Sequence, residues 1–350
     1  MPIRTVTDLH EHLELAIQVE LSTVPPYLYA MYSIEDQRSE ATLLLRSIVA
    51  EEMLHAVLAS NLLLATGGRP RFDSTAYMPE YPSRMPHHRP PLEVGLAPCT
   101  EATIREVFMR IEQPEEHDAP PEPDMYETLG QFYHALENAI VDLSAVGDLF
   151  SNAQATAQLS DPSFYAPVED DAEDSGGLVL VLDTETAIQA IEIIVHQGEG
   201  LSDERWADPS HQELTHYYKL LQIAERVSPL GRVRPVPVNP RTADYPTDLQ
   251  AVSYLFNSAY RYLYLLLAQL LTAQETKTPA VGELYRVMTG VMGPLARYLV
   301  SQPLPDGGVA APTFEVVDLD TDRAREQLRE RAAIVSSAVP ELAPAAALIT

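Results

Sequence analysis

The chain alternates between long stretches with an apolar residue every three or four positions and short stretches dominated by proline. The first pattern puts side chains on one face of an α-helix, and proline stops or kinks a helix because it lacks a backbone donor. The pattern predicts helices over 8–33, 38–66, 100–112, 126–151, 184–200, 211–227, 248–274, 279–301 and 321–338. Of the 29 prolines, seven fall between Pro70 and Pro98, four between Pro114 and Pro123, and five between Pro229 and Pro246, all between helical stretches. Gly67-Gly68 ahead of Pro70 reads as a helix C-cap, Ser210 to Glu213 as a capping box, and Thr278-Pro279 as a helix start. Pro25-Pro26 falls inside the first helix and predicts a kink. Leu178 to Leu182 is the one strand-like run, too short to build a sheet. The fold class expected is all-α.

A proline-rich linker at 228–247 divides the pattern into a helical bundle over 1–230 and a C-terminal helical extension over 231–350. Six leucines between Leu263 and Leu271 demand a partner surface, so the extension is expected to pack on the bundle.

Charge narrows the function. With Lys+Arg 23 and Asp+Glu 51 the formal net charge is −28 over 350 residues, which argues against nucleic acid and anionic membranes as partners. The single cysteine, Cys99, excludes an internal disulfide and a cysteine-rich zinc site. The N-terminal residues Met1 to His12 are polar, unlike a signal peptide. The uncharged runs Leu21–Ile34 and Tyr262–Gln274 fall short of the roughly 18 residues a membrane span needs. A soluble, cytoplasmic protein is expected. Phosphate-loop, nucleophile-elbow and Rossmann motifs are missing.

The chemistry lies where polar residues interrupt apolar stripes. In the first helix the line Leu13, Ile17, Glu20, Val24, Tyr27, Met31 is broken only by Glu20. In the second, Ile48, Glu52, His55, Ala59, Leu62 is broken by an acid and a histidine three apart. Glu51 lies about 100° round the helix and reads as solvated. A carboxylate buried without a partner is so costly that it must be neutralised, paired or bound to a metal. Glu-x-x-His puts a carboxylate and an imidazole on neighbouring turns of one face, the spacing of di-iron carboxylate bundles. A metal centre holding Glu20, Glu52 and His55 is therefore expected.

The other half of such a centre is less defined. Glu137 borders the inward line Leu129, Tyr133, Leu136, Ile140, and reads equally as a ligand or a solvated flank. Gln131 and His134 also can point inward. Glu192 and Glu199 share a line but stand about 10.5 Å apart along the axis. His196 and Glu199, three apart, can act together. Glu213-x-x-His216 repeats the Glu-x-x-His spacing; Glu213 is explained as a cap, which leaves His216 as the ligand. His87 and His88, in a proline-rich loop, are expected to be exposed, and Cys99 to be inert.

Several motifs together resemble a bacterial ferritin-like family. They are Glu20-Leu-Ser-Thr-Val-Pro-Pro-Tyr-Leu-Tyr-Ala30, Glu51-Glu-Met-Leu-His55, Leu63-Leu-Ala-Thr-Gly-Gly-Arg-Pro70, Leu129-Gly-Gln-Phe-Tyr133, Gln197-Gly-Glu-Gly200 and His216-Tyr-Tyr218. The C-terminal pattern, from Phe256-Asn-Ser-Ala-Tyr260 through Met292-Gly-Pro-Leu-Ala296 to Pro312-Thr-Phe314, is similar to stand-alone members. The family is related to the ferritin-like domain of iminophenyl-pyruvate dimer synthases. The resemblance implies a ferritin-like bundle with iron, two ions in preference to one iron or manganese, held by Glu20, Glu52, His55, Glu199 and His216. The sequence departs from that family at His196, where an acid is usual, and at Lys219-Leu220, where Arg-Phe is usual.

Together these readings imply a non-haem iron oxidase or oxygenase in specialised metabolism. It would use O₂ and a small-molecule substrate, amino-acid-derived compounds among the candidates, and the sequence leaves room for a homodimer. The alternatives are a ferroxidase without organic substrate and a metal-free helical scaffold. The long proline-rich loops and C-terminal helices speak against the packing of a ferritin cage.

Overall fold

Thr5 opens the first helix. Its hydroxyl accepts from the Asp8 amide while the Asp8 carboxylate accepts from the Thr5 amide, so two otherwise orphaned donors are satisfied at once. In the computed structural model this helix, α1, runs Val6–Ser33 without interruption at Pro25 and Pro26. The two prolines leave the carbonyls of Leu21 and Ser22 without helical donors. The Tyr81 hydroxyl supplies one replacement, donating to Ser22 O at 2.7 Å. The structure describes residues 3–114, 120–166, 176–198, 215–225, 232–272, 276–305 and 307–349.

The second helix, α2 (Glu40–Ala65), packs along the length of α1. Thr66 caps it and Gly67 follows at φ +87°, a left-handed conformation that glycine adopts without a Cβ clash. The Gly67 and Gly68 amides donate to Leu64 O and Leu63 O, closing the helix as the glycine pair predicts. This helix is long and apolar enough to cross a membrane, but 89% of its apolar window is buried inside the protein. It is the central core helix.

Among the described residues, four further helices belong to the bundle. The segment 101–111, α3, contains a π-helical turn at Ile104–Phe108. Then come α4 (Leu129–Val146), α5 (Thr184–Gly198) and α6 (His216–Glu225). α5 and α6 both touch α2, while α4 packs on α1 and α5. The expected capping box at Ser210–Glu213 lies outside the described residues.

Two expectations are corrected. Residues 178–182 form no strand; the backbones of Val179 and Val181 bond instead to the side-chain amides of Asn61 and Gln158. The strands described are a two-residue ribbon, β1 (Ser83–Arg84) with β2 (Glu93–Val94). His88 is buried, its Nδ1 on Pro90 O and its ring edge-on to Tyr126; His87 is exposed.

The remaining helices are α7 (Thr247–Leu270), α8 (278–299, with a π-helical turn at Arg286–Met292), α9 (Ala324–Ala338) and the short α10 (Ala343–Ala346). They are tied to the N-terminal part by polar contacts. The buried Arg261 donates to the carbonyls of Phe72, Asp73 and Ser74 at 3.1, 2.6 and 3.0 Å. Lys277 donates to Ala157 O and Gln158 O, both at 2.7 Å. Val233 bridges Ile34 at the end of α1.

Arg261 is therefore a test of the join. Arg261→Ala strands three carbonyls, and we expect a loss on the order of 3 kcal/mol or more in urea denaturation. The wild-type protein should unfold in one transition by far-ultraviolet circular dichroism and by the near-ultraviolet signal of its buried tyrosines alike. Two separated transitions would show that the two parts are energetically independent.

Candidate metal centre

Four glutamates meet in the interior, each at most 2% exposed: Glu20 from α1, Glu51 and Glu52 from α2, and Glu112 at the end of α3. His55 of α2 and His216, the first residue of α6, lie among them with rings 5.4 Å apart and 27° from parallel. Potential ligand atoms fall into two groups, Glu20–Glu52–His55 and Glu52–Glu112–His216, each with its atoms within 4.8 Å of one another. Glu52 belongs to both.

The orientation of each carboxylate is fixed from outside. The Tyr133 hydroxyl donates to Glu20 Oε1, Thr23 Oγ1 to Glu52 Oε2 at 2.6 Å, and the Tyr27 hydroxyl to Glu112 Oε1. The second oxygen of each faces a histidine. Glu20 Oε2 lies 3.3 Å from His55 Nδ1, while Glu52 Oε1 and Glu112 Oε2 lie 3.0 and 3.4 Å from His216 Nδ1. Both imidazoles are anchored through Nε2, His55 to Gln197 Oε1 at 2.9 Å and His216 to Glu51 Oε2 at 2.8 Å. Each ring thus presents Nδ1 to the centre.

Glu51 does a different job from the other three. Its oxygens accept from Lys219 Nζ at 2.6 and 2.7 Å and from Ser47 Oγ at 2.7 Å. Lys219 is itself buried and also donates to Ser47 at 2.9 Å. The expectation that Glu51 is solvated is overturned because the outward line of α2 runs through Glu40, Leu43 and Arg46 to the half-buried Ala50 and Met53, and Glu51 lies beside that line, covered by α6, whose His216 and Lys219 it meets.

Electrostatics show how crowded the centre is. Burial opposes ionisation of Glu51, yet Lys219 and His216 outweigh it and hold its pKa at about 2. Burial, then the neighbouring Glu112, pushes Glu52 well above the usual carboxylate range. Burial also opposes the charge on His216, but Glu112, Glu51 and Glu52 together raise its pKa well above the usual value. Burial and the adjacent carboxylates keep the phenols of Tyr27 and Tyr133 protonated, as donors.

These residues fit a metal. His216 Nδ1 is fully buried and close to two carboxylate oxygens, yet it makes no hydrogen bond of acceptable geometry. The donors are carboxylate oxygens and imidazole nitrogens, a set suited to iron or manganese. A cavity of about 10 Å³, roughly the space of one water, adjoins Glu20, Glu52, His55 and Glu112. Its other wall is Leu129, Gly130, Tyr133, Ile194, Val195 and Gly198.

The structure brings together Glu20, Glu52, His55 and His216. Glu137 is half-buried and outside both groups, because α4 turns Tyr133 to the centre. His196, also half-buried, is outside both; Gln197 occupies the position behind His55. Glu192 is exposed, and Glu199 and Glu213 lie outside the described residues. Gln131 caps α4. Glu112 is the group that the sequence reading missed. Its signal is present: Ile104, Phe108, Glu112 is an apolar line broken by one acid, as in α1.

Comparison with known proteins bears on the family and the fold. A ferritin-like family model matches residues 13–225. The chain belongs to the ferritin-like family. It is 24% identical to the 2-imino-3-(indol-3-yl)propanoate dimerase of Chromobacterium violaceum over 89% of its length, and 24% identical to the dichlorochromopyrrolate synthase of Lentzea aerocolonigenes over 95%. It spans 34% and 38% of those two proteins, about a third of their length. The crystal structure of a ferritin-like protein from Caulobacter vibrioides superposes with a TM-score of 0.60 and 23% identity, covering 82% of this chain and 96% of that one, a likeness of fold.

Ligation requires Glu52 and His216 Nδ1 without their protons, and both hold protons more tightly than usual in the metal-free centre. Divalent metal uptake should therefore release protons and tighten as pH rises. Calorimetric titration in buffers of different ionisation enthalpy checks this. An observed heat independent of buffer would contradict the assignment.

Proposed function

We propose that the chain is a non-haem di-iron oxidase or oxygenase acting on a small molecule in specialised metabolism. The observation that carries this reading is the pair of overlapping ligand groups sharing Glu52, with one oxygen of each carboxylate clamped and the other turned inward. Glu20 and His55 would hold one iron, Glu112 and His216 the other, and Glu52 both. Iron bound there supplies one-electron chemistry toward dioxygen.

The chain's own residues do the rest. Tyr133, Thr23 and Tyr27 hold the ligand set in place through hydrogen bonds that need no rearrangement when metal enters. Leu129, Ile194 and Val195 form an apolar wall that keeps bulk water from the open side. Glu52, raised in pKa by burial and Glu112, holds a proton in the metal-free centre that a bound metal would displace.

The names of the two curated relatives, a dimerase of an indolyl imino acid and a chromopyrrolate synthase, support an amino-acid-derived substrate. The net charge of −28 supports a site of action away from nucleic acid and membrane, in the cytoplasm. A second reading, iron oxidation without an organic substrate, is favoured by the small size of the cavity beside the ligand groups, about 10 Å³ among the described residues.

Metal analysis and oxygen uptake test both. Protein loaded anaerobically should hold about two iron per chain. Glu52→Ala should lose both, Glu112→Ala should lose one, and Glu137→Ala should keep the wild-type content. Iron content unaffected by Glu52→Ala would end the reading. Sustained turnover of Fe(II) far beyond two per chain, with no organic substrate added, would favour the ferroxidase.

A further inference from the structure

Among the described residues, the two halves of the centre are nearly matched. Each has one histidine presenting Nδ1, one carboxylate of its own and a share of Glu52. Each private carboxylate takes a tyrosine hydroxyl, Tyr133 on Glu20 and Tyr27 on Glu112. The match breaks behind the histidines. His55 Nε2 donates to the neutral amide oxygen of Gln197. His216 Nε2 donates to the Glu51 carboxylate, which is backed by Lys219 and Ser47.

That difference has a direction. An imidazole that donates its remote N–H to a carboxylate carries more electron density on its ligating nitrogen than one that donates to an amide. Glu51 stands between His216 and Lys219, so the ion pair turns its negative end to the ring. Lys219 also gives two of its hydrogen bonds to the Glu51 oxygens. Glu51 is thereby kept behind His216 and away from the inward oxygens of Glu52 and Glu112.

We propose that the centre is built unequal: the Glu51–Lys219 pair makes the His216 half the tighter cation site, which fills before the His55 half. Glu51 and Lys219 are positioning residues, acting through His216. The inference builds on the metal reading of the preceding section and goes beyond it in ranking the two positions.

The test is titration of the metal-free protein with Co(II), followed by its visible absorption. Two steps separated by tenfold or more in affinity are expected, His216→Ala removing the tight one and His55→Ala the weak one. The double variant Glu51→Gln/Lys219→Met keeps net charge and leaves His216 an amide, as His55 has. It should weaken the tight step 10- to 100-fold and bring the two together. Gln197→Glu, which leaves the ion pair intact, should strengthen the weak step. Circular dichroism melts of each metal-free variant separate lost folding from lost affinity; if the double variant does not fold, Gln197→Glu decides. Two equal equivalents in the wild type would overturn the ranking and leave the metal centre standing. So would a tight step that survives His216→Ala, or unchanged steps in a folded double variant or in Gln197→Glu. No Co(II) uptake at all would overturn both.

Discussion

Four glutamates packed into one apolar interior are the constraint that the bundle has to satisfy. Among the described residues, only Lys219 and two histidines lie against them as cationic or potentially cationic groups. Isolated buried carboxylates would cost several kcal/mol each. The fold meets that cost in two ways. Glu51 is compensated by Lys219, while Glu20, Glu52 and Glu112 each receive one hydroxyl hydrogen bond and keep one oxygen facing inward. The second arrangement leaves the three under-compensated, a charge that a divalent ion would balance.

The surrounding elements follow from holding that geometry. α1 continues through two prolines, so Glu20, Thr23 and Tyr27 stay on successive turns of one face. α2 supplies Glu51, Glu52 and His55 from within the core. The π-helical turn in α3 ends four residues before Glu112, a local change of helical register of the kind often found beside functional groups. The C-terminal helices meet the loops at 72–74 and 157–158 through Arg261 and Lys277, and the centre is built from the N-terminal helices.

Much of this was legible in the sequence. The helices appear close to the predicted positions because proline clusters and caps mark their ends. Glu20, Glu52 and His55 stand out because each breaks an apolar stripe, and the same rule applied to α3 would have found Glu112. Glu51 was not legible from one stripe, because it lies beside the outward line of α2 and is buried only by α6, more than 160 residues away in sequence. Gln197 and Lys219 gain their roles through partners more than 140 residues away in sequence, which spacing along one helix does not show. The extended run at 178–182 has the composition of a strand, but its hydrogen-bond partners are side-chain amides, which a strand pattern does not encode.

The central claim is that three clamped carboxylates turn their free oxygens, and two histidines their Nδ1 atoms, toward a shared pair of metal positions. A crystal structure of iron-loaded protein, with anomalous diffraction collected at the iron edge, tests it directly. The account predicts two anomalous peaks bridged by Glu52, one beside Glu20 and His55 Nδ1 and the other beside Glu112 and His216 Nδ1, with Lys219 still on Glu51. Peaks bound through Glu51 or through histidine Nε2, or no peak among these residues, would contradict it.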